Sequence, residues 1–411
     1  MSVRAGKTHQ FRGRSAHLRC VASGFSLVEL MVGILISIIC TLGIMSAFSA
    51  FESQKRTTTS GSDAQQNGSF AAVALEREVR TAGSALVQGK NYGVWGCAVT
   101  AYSQSTKRLP LASALAAPFA NWPLTTRATP VLVASGGATA PDVIGIVRGN
   151  PSIRAFKTNI TSTTTTDVVV DNSFGFIAKE YVLVSDKSGS CALAKAKTVT
   201  VGSGTGTIVL NGPDAPTSGF KGAYTGSGYL MDWGLDPAIN LYGVDTTSNS
   251  LVVYDLLQKA ATSAAIVPPT PIADSVVNMK TLYGVDDGAG TGNVAGDGIV
   301  DEWVQPIGVN WGVAALNPAT DTPTAAARRA QILALRVAVV VQSRQLERAA
   351  PATAASVQGA AYIGYTGAST LTLFPDLDAA LQYAIPTSPS YRYKVYDVVI
   401  PIRNNYIKQY F

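Results

Sequence analysis

Few side chains in this chain of 411 residues are placed to do chemistry. Both histidines, His9 and His17, lie within the first 24 residues, and the rest of the chain has none. Residues 25–411 therefore hold no Ser-His-Asp triad, no Cys-His dyad and no His-ligated metal. No G-x-S-x-G stretch offers a strained nucleophile either. The densest group of oxygen ligands is GVDDGAGTGNVAGDGIVDEW, which gathers Asp286, Asp287, Asn293, Asp297, Asp301 and Glu302 among glycines. Oxygen ligands on a turning backbone suit Ca²⁺, although the EF-hand spacing is not met. A long hairpin loop whose Asp, Asn and Gly serve turn geometry accounts for the same residues. Of the four cysteines, Cys97 and Cys191 sit in the body, where they form either one disulfide or two buried thiols. The remaining group of interest is Glu29, a single carboxylate at the mouth of a long apolar run.

The elements that position these groups follow from charge and hydropathy. Of 32 basic residues, Arg4, Lys7, Arg12, Arg14 and Arg19 precede Gly24, which leaves 27 against 26 acidic ones. The basicity belongs to this leader, so a nucleic-acid partner is not expected of the body. Leu30 to Phe48 is uncharged and, as a helix, spans roughly 28 Å, about one bilayer core. The basic leader keeps its own end in the cytoplasm and sends the body outward, to the periplasmic side. Any small-residue cleavage site (Ala22, Ser23, Gly24) comes before the apolar run, so cutting there removes the leader and keeps the membrane helix.

Beyond the membrane the chain turns polar and then regains helical spacing. Phe70, Val73, Ala74 and Leu75 fall to one side, and Gly83 marks a stop. A single helix from Phe25 to Ala82 spans roughly 87 Å, but TTTSGS and NGS are poor helix formers and predict a break between Thr57 and Ser69. From Ser84 onward short β-type runs alternate with Gly, Pro, Ser and Asn, as in DVIGIVRG (142–149), FGFIAKEYVLVSD (174–186), TVTVGSGTGTIVLNG (198–212) and SLVVYDLL (250–257). The fold class expected is α+β, a long N-terminal helix followed by a large antiparallel β-rich region.

The leader, Gly24, Phe25, Glu29 and the apolar helix together resemble the type III signal of type IV pilins and type II secretion pseudopilins. In the second half ADSVVNMKTLYGVDDG (273–288), ALRVAVVVQSR (334–344) and YRYKVYDVVIPIRNN (391–405), with LEREVRTAG (75–83), resemble the PilW group of minor pilins, relatives of the pseudopilin GspJ. The resemblance implies cleavage by prepilin peptidase between Gly24 and Phe25, methylation of Phe25, and docking of Glu29 on the N-terminal amine of a neighbouring subunit. It divides the chain into a leader (1–24), a transmembrane half-helix (25–51), a periplasmic half-helix (52–83) and a pilin body (84–411). The body is read as one domain or two, with a boundary near 230–270.

The function so implied is that of a non-catalytic minor pilin of a type IV pilus, held in the bacterial inner membrane and then carried to the pilus tip. The partners are prepilin peptidase, other minor pilins, the major pilin, the inner-membrane assembly platform and a tip adhesin. No cofactor is expected, calcium at residues 286–301 being the one ion the residues suggest. A GspJ-like pseudopilin of a type II secretion system and a tip adhesive module are the alternatives.

Overall fold

Uncharged apolar residues build the helix of one unit, and β-formers interrupted by turn residues build the other. The computed structural model describes residues 24, 26–86, 94–151, 157–186, 189–202, 204–210, 212–215, 228–263, 265–290, 292–345, 357–358, 370–388 and 391–406. The chain divides into two compact units, Met1–Arg56 and Thr57–Phe411. The main helix is Leu27–Thr81, and the described residues after it form strands, short helices and the turns and loops between them. The class is α+β, with a long apolar N-terminal helix and a large antiparallel β region.

Among the described residues of the second unit there are four sheets. The nine-stranded one runs Thr106–Leu109, Ala98–Ser103, Ser190–Lys195, Tyr181–Ser185, Tyr229–Gly234, Thr158–Thr163, Asp167–Val170, Gly206–Val209 and Thr198–Val201. A five-stranded sheet orders Thr270–Asp274, Ser250–Asp255, Ala238–Asp245, Val143–Arg148 and Val131–Ala134. A four-stranded sheet orders Glu302–Val304, Val276–Val285, Ile332–Gln342 and Tyr393–Pro401, and Val357–Gln358, Thr370–Leu373 and Tyr383–Pro386 form the smallest. Among the described strands two pairings are parallel, Ala98–Ser103 with Ser190–Lys195 and Val357–Gln358 with Thr370–Leu373, and the others are antiparallel.

The four-stranded sheet is buried on both faces. Val337, Val339 and Val341 enter the main core with Ala64, Ala71, Leu75 and Val79 of the helix. Their neighbours Ala338 and Val340 pack instead with Leu371, Phe374, Tyr383 and Val395 under the smallest sheet. Two covered faces explain why RVAVVV is a continuous apolar run and not an alternating one. A fully buried ion pair ties this sheet to the five-stranded one. Lys280 Nζ lies 3.0 Å from Asp142 Oδ1, while Thr281 donates to Asp142 Oδ2 from both N (2.9 Å) and Oγ1 (3.0 Å).

The body part of the helix departs from expectation in two ways. It is helical without interruption from Thr57 to Thr81, and its buried side is not the one carrying Phe70 and Val73, which are 57% and 59% exposed. The buried residues include Ser60, Ala64, Gly68, Ala71, Leu75, Val79 and Ala82, spaced by three and four. Most of these are small because the sheet comes very close. A Cβ on Gly68 would overlap the Tyr396 ring and lie 2.9 Å from Val341 Cγ1. Tertiary contact of this kind outweighs the low propensity of TTTSGS and NGS, which cost only tenths to about 1 kcal/mol per residue.

Candidate functional site: the apolar helix and its seat

The helix of the first unit begins one residue after Ser26, whose carbonyl accepts from Leu30 N at 3.1 Å. Gly24 is exposed ahead of it, and Phe25 lies outside the described residues. Every described side chain from Leu27 to Glu52 is exposed, including Leu27 (77%), Ile44 (68%) and Phe51 (71%). This is the one described helix long and apolar enough to cross a membrane, with a mean hydropathy of 2.5 over its best window.

Within the apolar stretch the hydroxyls are satisfied locally. Ser37 Oγ donates to Ile34 O at 2.8 Å, Thr41 Oγ1 to Ser37 O, and Ser46 Oγ to Gly43 O at 3.3 Å. Such back-bonding lets Ser and Thr enter lipid at little cost. Glu29 has no such recourse. It stands in the first turn, where the helix dipole favours an anion, and no described residue hydrogen-bonds to it. An ionised carboxylate at the edge of hydrocarbon without a partner is costly, so a cation supplied from elsewhere would be held strongly.

The body seats its own length of helix with directed contacts as well as apolar ones. Tyr396 Oη donates to Gln65 O at 2.6 Å, and Ser60 Oγ accepts from Arg344 N and Gln345 N at 2.9 and 3.2 Å. At the end of the helix Gly83, at φ +75°, donates to Val147 O at 2.7 Å, and Asn404 Nδ2 donates to Ala82 O at 2.6 Å. Arg148 pairs with Glu78 at 3.2 Å and Arg80 with Glu76 at 2.6 Å. Of the seat residues, the sequence singled out Leu75 and the stop at Gly83. The spacing of small residues from Ser60 to Ala71 was the available signal, outweighed by larger side chains on the opposite face.

Residues 241–404 match the model of the PilW family, described as Type IV Pilus-assembly protein W. Through this stretch the chain is similar to the PilW family. No curated protein and no solved structure matches the chain. The match makes this a protein related to type IV pilus assembly, and it falls on the sheet that holds the helix. Three PilW-like runs of the sequence become neighbouring strands, Val276–Val285, Ile332–Gln342 and Tyr393–Pro401, paired in register from Val276↔Val341 and Gln342↔Tyr393. Arg336 locks two of them, donating to Asp397 (2.6–3.1 Å) and to Asp376 (2.8 Å). This guanidinium holds the Asp376 carboxyl below its usual range.

The remaining sequence candidates fall elsewhere in the chain. Cys97 and Cys191 are joined by a disulfide at the edge of the nine-stranded sheet, with Cα atoms 5.7 Å apart. Asp286 to Asp301 form the loop of a hairpin between Val276–Val285 and Glu302–Val304. Their carboxylates accept from loop amides. Asp286 takes Gly296 N and Gly298 N, Asp287 takes Ala289 N, Asp297 takes Ile299 N and Asp301 takes Gly288 N. Asn293 donates to Ala289 O. Among the described residues no three His, Cys, Asp or Glu side chains converge to hold a metal ion.

Proposed function

We propose that this chain is a minor pilin, a structural subunit without catalytic activity that enters a type IV pilus at or near its tip. In this reading prepilin peptidase cuts between Gly24 and Phe25 and methylates Phe25. The freed ammonium of one subunit then meets Glu29 of its neighbour as apolar helices bundle, beside other minor pilins and the major pilin. The body remains periplasmic until the assembly platform extracts the subunit into the filament. The observation that carries the reading is Glu29 itself, the one carboxylate at the head of a run in which Ser37, Thr41 and Ser46 bond to their own helix. A partner-satisfied charge makes docking register-specific, because a subunit seated one turn off leaves the carboxylate bare in lipid.

The test is the intact mass and N-terminal sequence of the protein recovered from its native membrane. A chain beginning at methylated Phe25 is expected. A chain that still begins at Met1 in peptidase-competent cells overturns the proposal. As a companion, Glu29→Val should be cleaved normally yet be missing from sheared pili, and its appearance in pili at wild-type levels would remove the role given to the carboxylate.

A further inference from the structure

The body contains a concave site of about 410 Å³, unrelated to the helix seat. That volume lies within the ~300–1,000 Å³ typical of small-molecule sites. Its walls are the loop Leu111–Phe119 and the chain from Tyr254 to Pro269. The floor is apolar. Phe119 and Tyr254 meet there with ring centroids 5.7 Å apart, and Leu115 and Ile266 flank them. Phe119 can sit so deep because Gly243 lies beneath it, where a Cβ would come within 3.0 Å of Phe119 Cε1.

The walls are held in place by hydrogen bonds that leave the interior open. Gln258 Nε2 donates to Asp255 O (2.7 Å) and its Oε1 accepts from Val267 N (2.6 Å), pinning one wall to itself. Leu111 N donates to Leu124 O at 2.8 Å and Phe119 N to Ala116 O at 3.0 Å, fixing the other. Arg108 joins the two sides through Nη2 to Ser263 O at 3.1 Å. A cavity with fixed walls loses little entropy when it is filled.

Charge at the site has one sign. Lys107, which is exposed, and Arg108, which is buried, both line it, and no carboxylate side chain does. The nearest acid on the wall strand, Asp255, turns its oxygens to the amides of Leu257 and Lys259, both at 2.9 Å. The positive field of Arg108 reaches the floor, where it opposes the rise that burial and, to a smaller extent, Asp255 impose on the Tyr254 phenol.

An apolar interior with a cationic rim fits one class of ligand. We propose that this cavity binds a small amphipathic carboxylate, its aryl or acyl body resting on Leu115, Phe119 and Tyr254 and its anionic end at Lys107 and Arg108. The assay uses the full chain in lipid nanodiscs, because detergent would compete for an apolar cavity, with empty nanodiscs subtracted. Fluoronaphthoate and octanoate are titrated as aryl and acyl probes, each beside its uncharged amide, with ¹⁹F line broadening and calorimetry as readouts.

Saturable binding of one or both acids is expected, at least about tenfold tighter than the matching amide. Lys107→Glu should weaken the acid by about tenfold and leave the amide unchanged. Ala114→Trp fills the cavity from an exposed wall position and should abolish both, at an unchanged melting temperature. If neither acid binds, if acid and amide bind alike, or if Ala114→Trp binds as the parent does, the proposal fails.

Discussion

Replacing Asp232 with asparagine should make this protein more stable above neutral pH and flatten its response to alkali. Asp232 lies in the strand Tyr229–Gly234 and is 2% exposed, beside Glu180, which is 1% exposed. Its Oδ1 accepts from Gly234 N at 2.7 Å, while Oδ2 is buried and accepts no hydrogen bond. Burial raises the carboxyl from its ordinary 3.8 to about 7, the Gly234 amide opposes the rise, and the negative charge of Glu180 adds to it. A raised carboxyl means that the folded protein keeps a proton the unfolded chain has already given up. The resulting stability is fully present below pH 3.8 and is lost as pH climbs through about 7.

At about 1.4 kcal/mol per pH unit, the whole loss is on the order of 4 kcal/mol, of which about 3 kcal/mol falls between pH 5 and pH 9. The side-chain amide of the Asp232→Asn variant would keep the acceptor for Gly234 and place an N–H where the proton sits, facing Glu180. Denaturant melts of the full chain at pH 5 and pH 9 measure the difference, and Trp233, fully buried next in the strand, reports by fluorescence. Titrating groups other than the coupled Glu180 cancel between parent and variant. The parent should lose about 3 kcal/mol more than Asp232→Asn over that interval. Parallel pH profiles, or a variant weaker at both pH values, would refute the paired-carboxyl account.

Two glycines of the helix should respond in opposite directions. Gly68→Ala gains up to about 1 kcal/mol of helix propensity but meets the Tyr396 ring, which is tethered to Gln65 O, so it should lose about 1–3 kcal/mol net. Gly61→Ala has open space within 4 Å and should gain about 0.5–1 kcal/mol; equal melting shifts for both would contradict the close-packed seat. The Cys97–Cys191 bridge closes a sequence separation of 94 residues, and reducing it should lower stability by up to about 4–5 kcal/mol. An unchanged melt in reductant, with free thiols verified by mass, would show that the sheet edge holds without it.

What could be read from the sequence depended on how far apart the cooperating residues lie. The apolar run was legible because its signal, an absence of charge over Leu30–Phe48, is local and long. The runs at 142–149 and 250–257 were legible as strands because each is a local stretch of β-formers, though nothing local says that they share one sheet. The helical face was misjudged because periodicity weights large side chains, and the sheet here selects small ones. Asp232 and Glu180 went unnoticed because only the register between Tyr181–Ser185 and Tyr229–Gly234, with Asp232 opposite Val182, brings them together. The cavity is similarly non-local, since its two walls come from residues 106–119 and 254–269.

The distribution of these features suggests a division of labour within the body. The stretch that matches PilW supplies Val341, Arg344, Gln345, Tyr396 and Asn404, all of which hold the helix. Holding a helix this closely is a demanding task, because one methyl group added at Gly68 forces a clash. The residues before it build the nine-stranded sheet and its disulfide, and they touch the helix mainly where Gly83 and Arg148 receive its last turn. A part of the body with so few obligations to the helix can change its surface without disturbing the seat. The proposed carboxylate site lies at the seam between the two, with Lys107 and Arg108 from the unmatched part facing Tyr254 and Ile266 from the PilW stretch. Ligand binding there would bridge the unmatched and the PilW-like parts of the body. The Lys107→Glu variant therefore bears on ligand binding without touching the residues that seat the helix.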